Sequence, residues 1–197
     1  FGIQQSDLID IIANAPSKVN AFISTIIEIA QHYNMSREGF YLASLRSYQE
    51  AHNNFFKDLE EKVIRFANSY SIDLEGNITS EELKEILIEE YGYTINLEGI
   101  PKQEELENLR CVFIPKTKTL LLSDRTDEAQ KTFIYAKELG YQYLKITDRP
   151  YTFSWIKYNH FEEVLNNFYA SYFAGALIIP RVHLKNQLKK LFNAKNF

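Results

Sequence analysis

Apolar residues return every three or four positions through the first third of the chain. Leu8, Ile11 and Ile12 are followed by Val19, Phe22, Ile23, Ile26, Ile27 and Ala30, a spacing that lines one face of a helix. Pro16, just after Asn14 and Ala15, stands where a helix can begin. Ser36 is placed to cap a further helix carrying Phe40, Leu45 and Tyr48. Asn53 and Asn54 read as a break before a helix from Phe55 to Tyr70. So many apolar helical faces need a partner surface, either the rest of the chain or a second copy of it.

Near residue 77 the pattern changes. Thr79 and Glu82 have the spacing of a capping box, and the helix they start runs to about Tyr91, where Gly92 ends it. Short strand-like runs follow at Tyr93 to Leu97, Arg110 to Ile114 and Thr119 to Leu122. Pro115-Lys116-Thr117-Lys118 between the last two reads as a hairpin loop. Thr126 is expected to cap a helix that continues to about Leu144. After the Pro150 loop comes a strongly apolar helix from about His160 to Ile178, stopped by Pro180. This order predicts an α+β fold, with a helical region over residues 1–75 and a second domain over 76–197.

Composition narrows the function classes. The chain has 197 residues, 45% apolar and 14% aromatic, enough to bury a core and offset ordering entropy. Its single cysteine excludes a disulfide framework or a multi-thiolate metal site. Cys111 lies in the apolar run Cys111-Val112-Phe113-Ile114 and is expected to be a buried, inert thiol. The longest apolar run, Phe173 to Pro180, is far too short to span a bilayer, and no signal peptide opens the chain. The expectation is a cytoplasmic protein without a membrane partner.

Charge is uneven. Residues 1–75 carry 6 basic and 10 acidic groups, 76–124 carry 5 and 10, and 125–197 carry 11 and 6. The first two thirds repel a phosphate backbone, so this chain is not a DNA binder on its own. The basic tail Arg181, Lys185, Lys189, Lys190 and Lys195 accompanies Leu184, Leu188 and Leu191 at helical spacing, which predicts a surface helix packing its leucine face.

The informative segment for chemistry is Lys137-Glu138-Leu139-Gly140-Tyr141. A zinc peptidase helix of the H-E-x-x-H kind places two imidazoles one turn apart, with the Glu beside them as general base. Here the Glu stands, but a cation and a phenol occupy both imidazole positions. An ammonium has no lone pair at neutral pH, and a neutral phenol is a poor zinc ligand.

This frame, the order of elements and the stretch Ala170-Ser171-Tyr172-Phe173-Ala174-Gly175-Ala176-Leu177-Ile178-Ile179-Pro180 resemble the ImmA/IrrE metallopeptidase-like domain. That family reads H-E-L-G-H in the first helix and roughly E-x-x-A-N-x-F-A-A-x-L-L-M-P in the second. Aligning the closing prolines puts Tyr169 near the third-ligand position. A further resemblance, over residues 6–190, is to XRE-type bacterial transcription regulators that include the short-chain fatty acyl regulators. It rests on Phe40 to Asn54 and on Val164 to Leu177. In those proteins a helix-turn-helix precedes a helical connector and this domain. No second helix with a basic or Gln/Arg-rich face precedes residue 36, so DNA is expected to be reached only through an upstream helix-turn-helix outside this chain.

The resemblance implies a zincin-like domain acting as the effector-sensing, dimerising part of a regulator, without catalysis and without metal or cofactor. It implies a small anionic or acyl-type effector. Lys137, Glu138, Tyr141, Tyr169 and Arg110, the last expected on a strand, are the candidate ligand-binding residues. The bland alternative has Lys137 paired with an acid in the old metal position. Two rival functions remain open, an active peptidase cleaving a repressor with Glu138 as base, and a purely structural dimerisation module. His160 and Glu163 lie one turn apart, but two ligands without a third make a poor metal site, and His32, His52 and His183 share no ligand spacing. Phe168, Tyr172 and Phe173 are expected in the core, and no Gly-rich phosphate loop is present.

Overall fold

The computed structural model describes residues 36–152 and 158–194, together with Ile26, Glu28 and Ile29. The apolar periodicity of residues 1–30 therefore lies outside the described residues, apart from those three, which are helical. The described chain is α+β, with six helices and a three-stranded mixed sheet. It divides into two compact units. Among the described residues, one holds 36–57, 148–150 and 158–167, and the other holds 58–147, 151–152 and 168–194.

In the first unit, α1 (Arg37–Ala51) starts where Ser36 accepts the Gly39 amide at 3.0 Å. It stops where Asn53 and Asn54 both adopt positive φ, 51° and 54°, a conformation that Asn tolerates better than most residues. The last turn is locked by rings. Tyr48, His52 and Phe56 follow one another at centroid distances of 4.4 and 4.9 Å, with the His52 and Phe56 planes 19° apart. His52 Nδ1 lies 2.9 Å from the Tyr48 carbonyl, so this imidazole packs as an aromatic ring.

The second unit is built around α2 (Lys57–Ser69), α3 (Ser80–Glu89), α4 (Glu128–Tyr143) and the C-terminal part of α5 (Phe161–Ile178). Thr79 and Glu82 form the expected capping box, and Gly92 supplies the positive φ of 68° that turns the chain into the sheet. The strands β1 (Thr94–Asn96), β2 (Cys111–Ile114) and β3 (Thr119–Leu122) lie in the order β1-β3-β2. β2 and β3 are antiparallel, with Cys111 opposite Leu122 and Phe113 opposite Leu120, while β1 is parallel to β3. The period-two pattern sends Cys111, Phe113, Leu120 and Leu122 into the core. They meet Leu83, Leu87, Ile134, Leu139, Phe66 and Phe173 there. Phe173 is buried as expected, its ring edge-on to Phe66 at 5.3 Å, while Phe168 and Tyr172 are only partly buried.

Three expectations are corrected. The cap of α4 is Asp127, whose carboxylate accepts the Gln130 amide at 2.8 Å while Gln130 reaches back to the Asp127 amide. Thr126 instead turns its hydroxyl to the Arg110 carbonyl at 3.5 Å, because a carboxylate one residue on competes better for the helix dipole. Arg110 precedes β2 rather than lying within it, though its carbonyl accepts the Ser123 amide at 3.0 Å. The C-terminal helix α6 (Arg181–Ala194) forms, but its leucine stripe is not packed: Leu184, Leu188 and Leu191 are 43–60% exposed. Periodicity makes the helix; it does not supply a surface to cover it.

Candidate functional site

The centre of α4 is unusual for a helix in a small domain. All eight residues from Ile134 to Tyr141 are buried, so the helix meets protein on every side rather than on one stripe. Two of the eight carry charges, with Lys137 5% exposed and Glu138 fully buried. Buried charges persist only where neighbouring groups compensate the lost water.

For Glu138 part of the compensation is a relay. The Tyr93 hydroxyl donates to Glu138 Oε2 at 3.0 Å, and Gln142 Nε2 donates to the Tyr93 oxygen at 2.7 Å. Gly92 delivers Tyr93 at the mouth of β1, and its ring stacks on Phe113 at 5.2 Å with the planes 19° apart. Lys137 projects differently. Its Nζ lies 5.9 Å from the centroid of the Tyr141 ring one turn on, at the range of a cation–π contact. The two adjacent charges of the frame thus face different surroundings on one helix.

Gly140 explains how α4 and α5 come together. A Cβ there would sit 3.1 Å from the Ala170 carbonyl oxygen, 3.3 Å from Ala170 Cα and 3.2 Å from Phe173 Cδ1. The Leu-Gly of the frame is therefore a close helix crossing, and Tyr169 sits on α5 immediately beside it. Tyr169 is partly buried, its ring 5.7 Å from that of Phe168. Arg110 is also partly buried, and the hydrogen bonds described for it run through its carbonyl to Ser123 and Thr126. Lys137, Glu138 and Tyr141 thus share α4, and Tyr169 adjoins the crossing, while Arg110 is placed at the sheet edge.

The zinc that the family frame implies does not fit these residues. Lys137 at the first imidazole position offers no lone pair as an ammonium, and Tyr141 and Tyr169 offer only phenols. Glu138, where the general base would stand, is occupied by the Tyr93 hydroxyl. Sequence reasoning missed Tyr93 and Gln142. Gln142 was legible, since it lies one helical turn beyond Glu138 on the same face. Tyr93 was not, because 45 residues separate it from its partner.

A separate groove of about 250 Å³ is lined by Tyr70, Ile72, Glu82, Glu85, Ile86 and Glu89, among others. Its carboxylates would repel an anionic effector. Tyr135, two residues before Lys137, is 1% exposed and its hydroxyl has no hydrogen-bond partner among the described residues. Burial, with smaller contributions from Glu81, Cys111 and Glu128, pushes that phenol up to about 12. No helix among the described residues is long and apolar enough to cross a membrane.

No protein-family model matches the sequence, and no curated protein matches it. Among solved structures the chain is similar to a Mycobacterium tuberculosis transcriptional regulator, with a TM-score of 0.53 at 18% identity over 74% of this chain. The match spans 43% of that regulator's length, and at this identity the likeness is one of fold.

Proposed function

We propose that this chain is the effector-sensing and dimerising portion of a bacterial helix-turn-helix regulator, built on a peptidase-like frame without catalytic function. The observation that carries the reading is the buried Lys137 on α4, an ammonium at the position where the resembled family has its first imidazole. A buried cation flanked by a tyrosine ring is a receptor for a carboxylate or phosphate rather than a holder of zinc. The fold-level likeness to a transcriptional regulator supports the same direction.

In this reading a small anionic, acyl-type effector binds beside Lys137 and Tyr141 on α4. It acts only through differential affinity for two arrangements of the chain, which two upstream DNA-binding heads would read as a change of spacing. The test is calorimetric titration of the chain with a panel of short-chain acyl carboxylates and acyl-coenzyme A thioesters, repeated on Lys137→Ala. The expected result is one effector per chain and a loss of at least tenfold in affinity in the variant. Equal affinity in both proteins, or no binding by any member of the panel, would reject it.

A second reading has its own support. Glu138 is engaged by the Tyr93 hydroxyl, which Gln142 in turn holds, as in a frame filled by its own side chains. On that reading the domain is a structural dimerisation module, and Lys137→Ala lowers stability with no ligand to lose.

A further inference from the structure

The sequence places His160 and Glu163 one turn apart at the start of α5, a pair without a third donor. The third donor comes from the segment after α4. Asp148 Oδ2 lies 3.1 Å from His160 Nε2, and one donor atom from each of Asp148, His160 and Glu163 falls within 4.8 Å of the others. The juxtaposition is held by the backbone: Asn166 Nδ2 donates to the Asp148 carbonyl at 2.9 Å, tying that segment to the second turn of α5. All three residues belong to the same compact unit.

We propose that Asp148, His160 and Glu163 form a site for a divalent transition-metal ion, with Zn²⁺ as its representative. One imidazole and two carboxylates make a mixed nitrogen–oxygen set, which suits Zn²⁺ or Mn²⁺ better than Ca²⁺ or Mg²⁺ with their all-oxygen preference. Two carboxylates match the charge of one divalent ion. Glu163 is the fixed member. It is 9% exposed, and its oxygens accept the Asn159 amide at 2.8 Å and Asn159 Nδ2 at 3.0 Å, which orients the carboxylate and leaves each oxygen a second lone pair. Its charge reaches the Tyr41 and Tyr158 phenols, both held above their ordinary range chiefly by burial. Arg37 is the cation on the Tyr41 side.

Asp148 and His160 are the adjustable members, their side chains 40% and 53% exposed. Donors on one ion lie about 3 to 3.5 Å apart. The widest pair here, within 4.8 Å, closes by about 1 to 2 Å, which a rotamer change of either exposed side chain supplies. The remaining coordination positions face solvent and would hold water. The ion would pin the residue-148 segment to the N-terminal turn of α5, a structural role independent of any effector at Lys137.

The test is calorimetric titration of the untagged chain with Zn²⁺, and of its His160→Ala and Asp148→Asn variants. Circular dichroism checks that each variant is folded. Glu163 is left intact, because it also anchors the start of α5. The expected result is one Zn²⁺ per chain, a raised Tm on saturation, and an affinity loss of at least 100-fold in both variants. No binding by the chain, or binding equal in both variants through other histidines, would overturn the proposal. Ca²⁺ displacing Zn²⁺ at equal concentration would overturn it as well, since the imidazole would then contribute nothing.

Discussion

Two places in this molecule invert each other. The middle of α4 is buried on all sides and holds Lys137 and Tyr141 at the positions where a zinc-binding helix would carry nitrogen donors. The start of α5 carries no recognisable motif, yet brings an imidazole and two carboxylates within 4.8 Å of one another, half open to water. A short run of residues reports how a helix packs, as Gly140 does where it meets Ala170, and not which chemistry the helix performs. Donor geometry depends on which distant segment is folded against the helix. The frame is enclosed by protein, whereas Asp148 and His160 are 40% and 53% exposed, so the two places should answer mutation very differently.

The largest effect is expected at the helix crossing. Gly140→Leu places a branched side chain where a Cβ alone meets the Ala170 backbone at 3.1 Å. That overpacking should cost about 3 kcal/mol, against a helix-propensity gain of roughly 1 kcal/mol. Denaturant unfolding measures it, and a neutral result would mean the crossing is loose. Next, Tyr93→Phe removes a hydroxyl that donates to the fully buried Glu138 and should lower stability by about 2 kcal/mol, the worth of a hydrogen bond to a buried carboxylate.

Tyr135→Phe should act in the opposite direction. The hydroxyl is buried without a partner among the described residues, so its removal should stabilise by up to about 1 kcal/mol. The pH dependence has a definite sign. The folded phenol is raised to about 12, against an ordinary value of 10.0. Its contribution is whole below 10 and is lost as pH climbs through about 12, because the unfolded chain releases the proton first. The variant should therefore unfold at higher pH than the parent in an alkaline titration followed by circular dichroism. The smallest effect is expected at the open cluster. Without metal, His160→Ala should change stability by less than about 0.5 kcal/mol, as for exposed polar pairs in general. A loss of several kcal/mol there would erase the contrast between the two places.

Much of this was readable from local chemistry. Ser36, the Asn53-Asn54 break, the Thr79/Glu82 box, Gly92 and the β2–β3 hairpin all act within a few residues, so spacing alone predicts them. The misplaced cap at Thr126 shows the limit of that logic: two adjacent residues both cap well, and the Asp127 carboxylate competes better than the threonine hydroxyl. The leucine stripe of α6 fixed a helix but could not say what, if anything, covers it. The candidate residues Lys137, Glu138 and Tyr141 follow from the frame. Tyr93 opposite Glu138, and Asp148 opposite His160, are products of tertiary folding with no sequence signature.

The central contention is that the frame on α4 is not a metal site. Zinc stoichiometry measured by native mass spectrometry on the untagged chain and on Tyr141→Phe tests it most directly, because the substitution removes the frame's phenol donor and keeps its ring. The account predicts the same zinc content in both proteins. Zinc bound by the parent and lost in Tyr141→Phe would contradict it, and would make Glu138 a candidate general base.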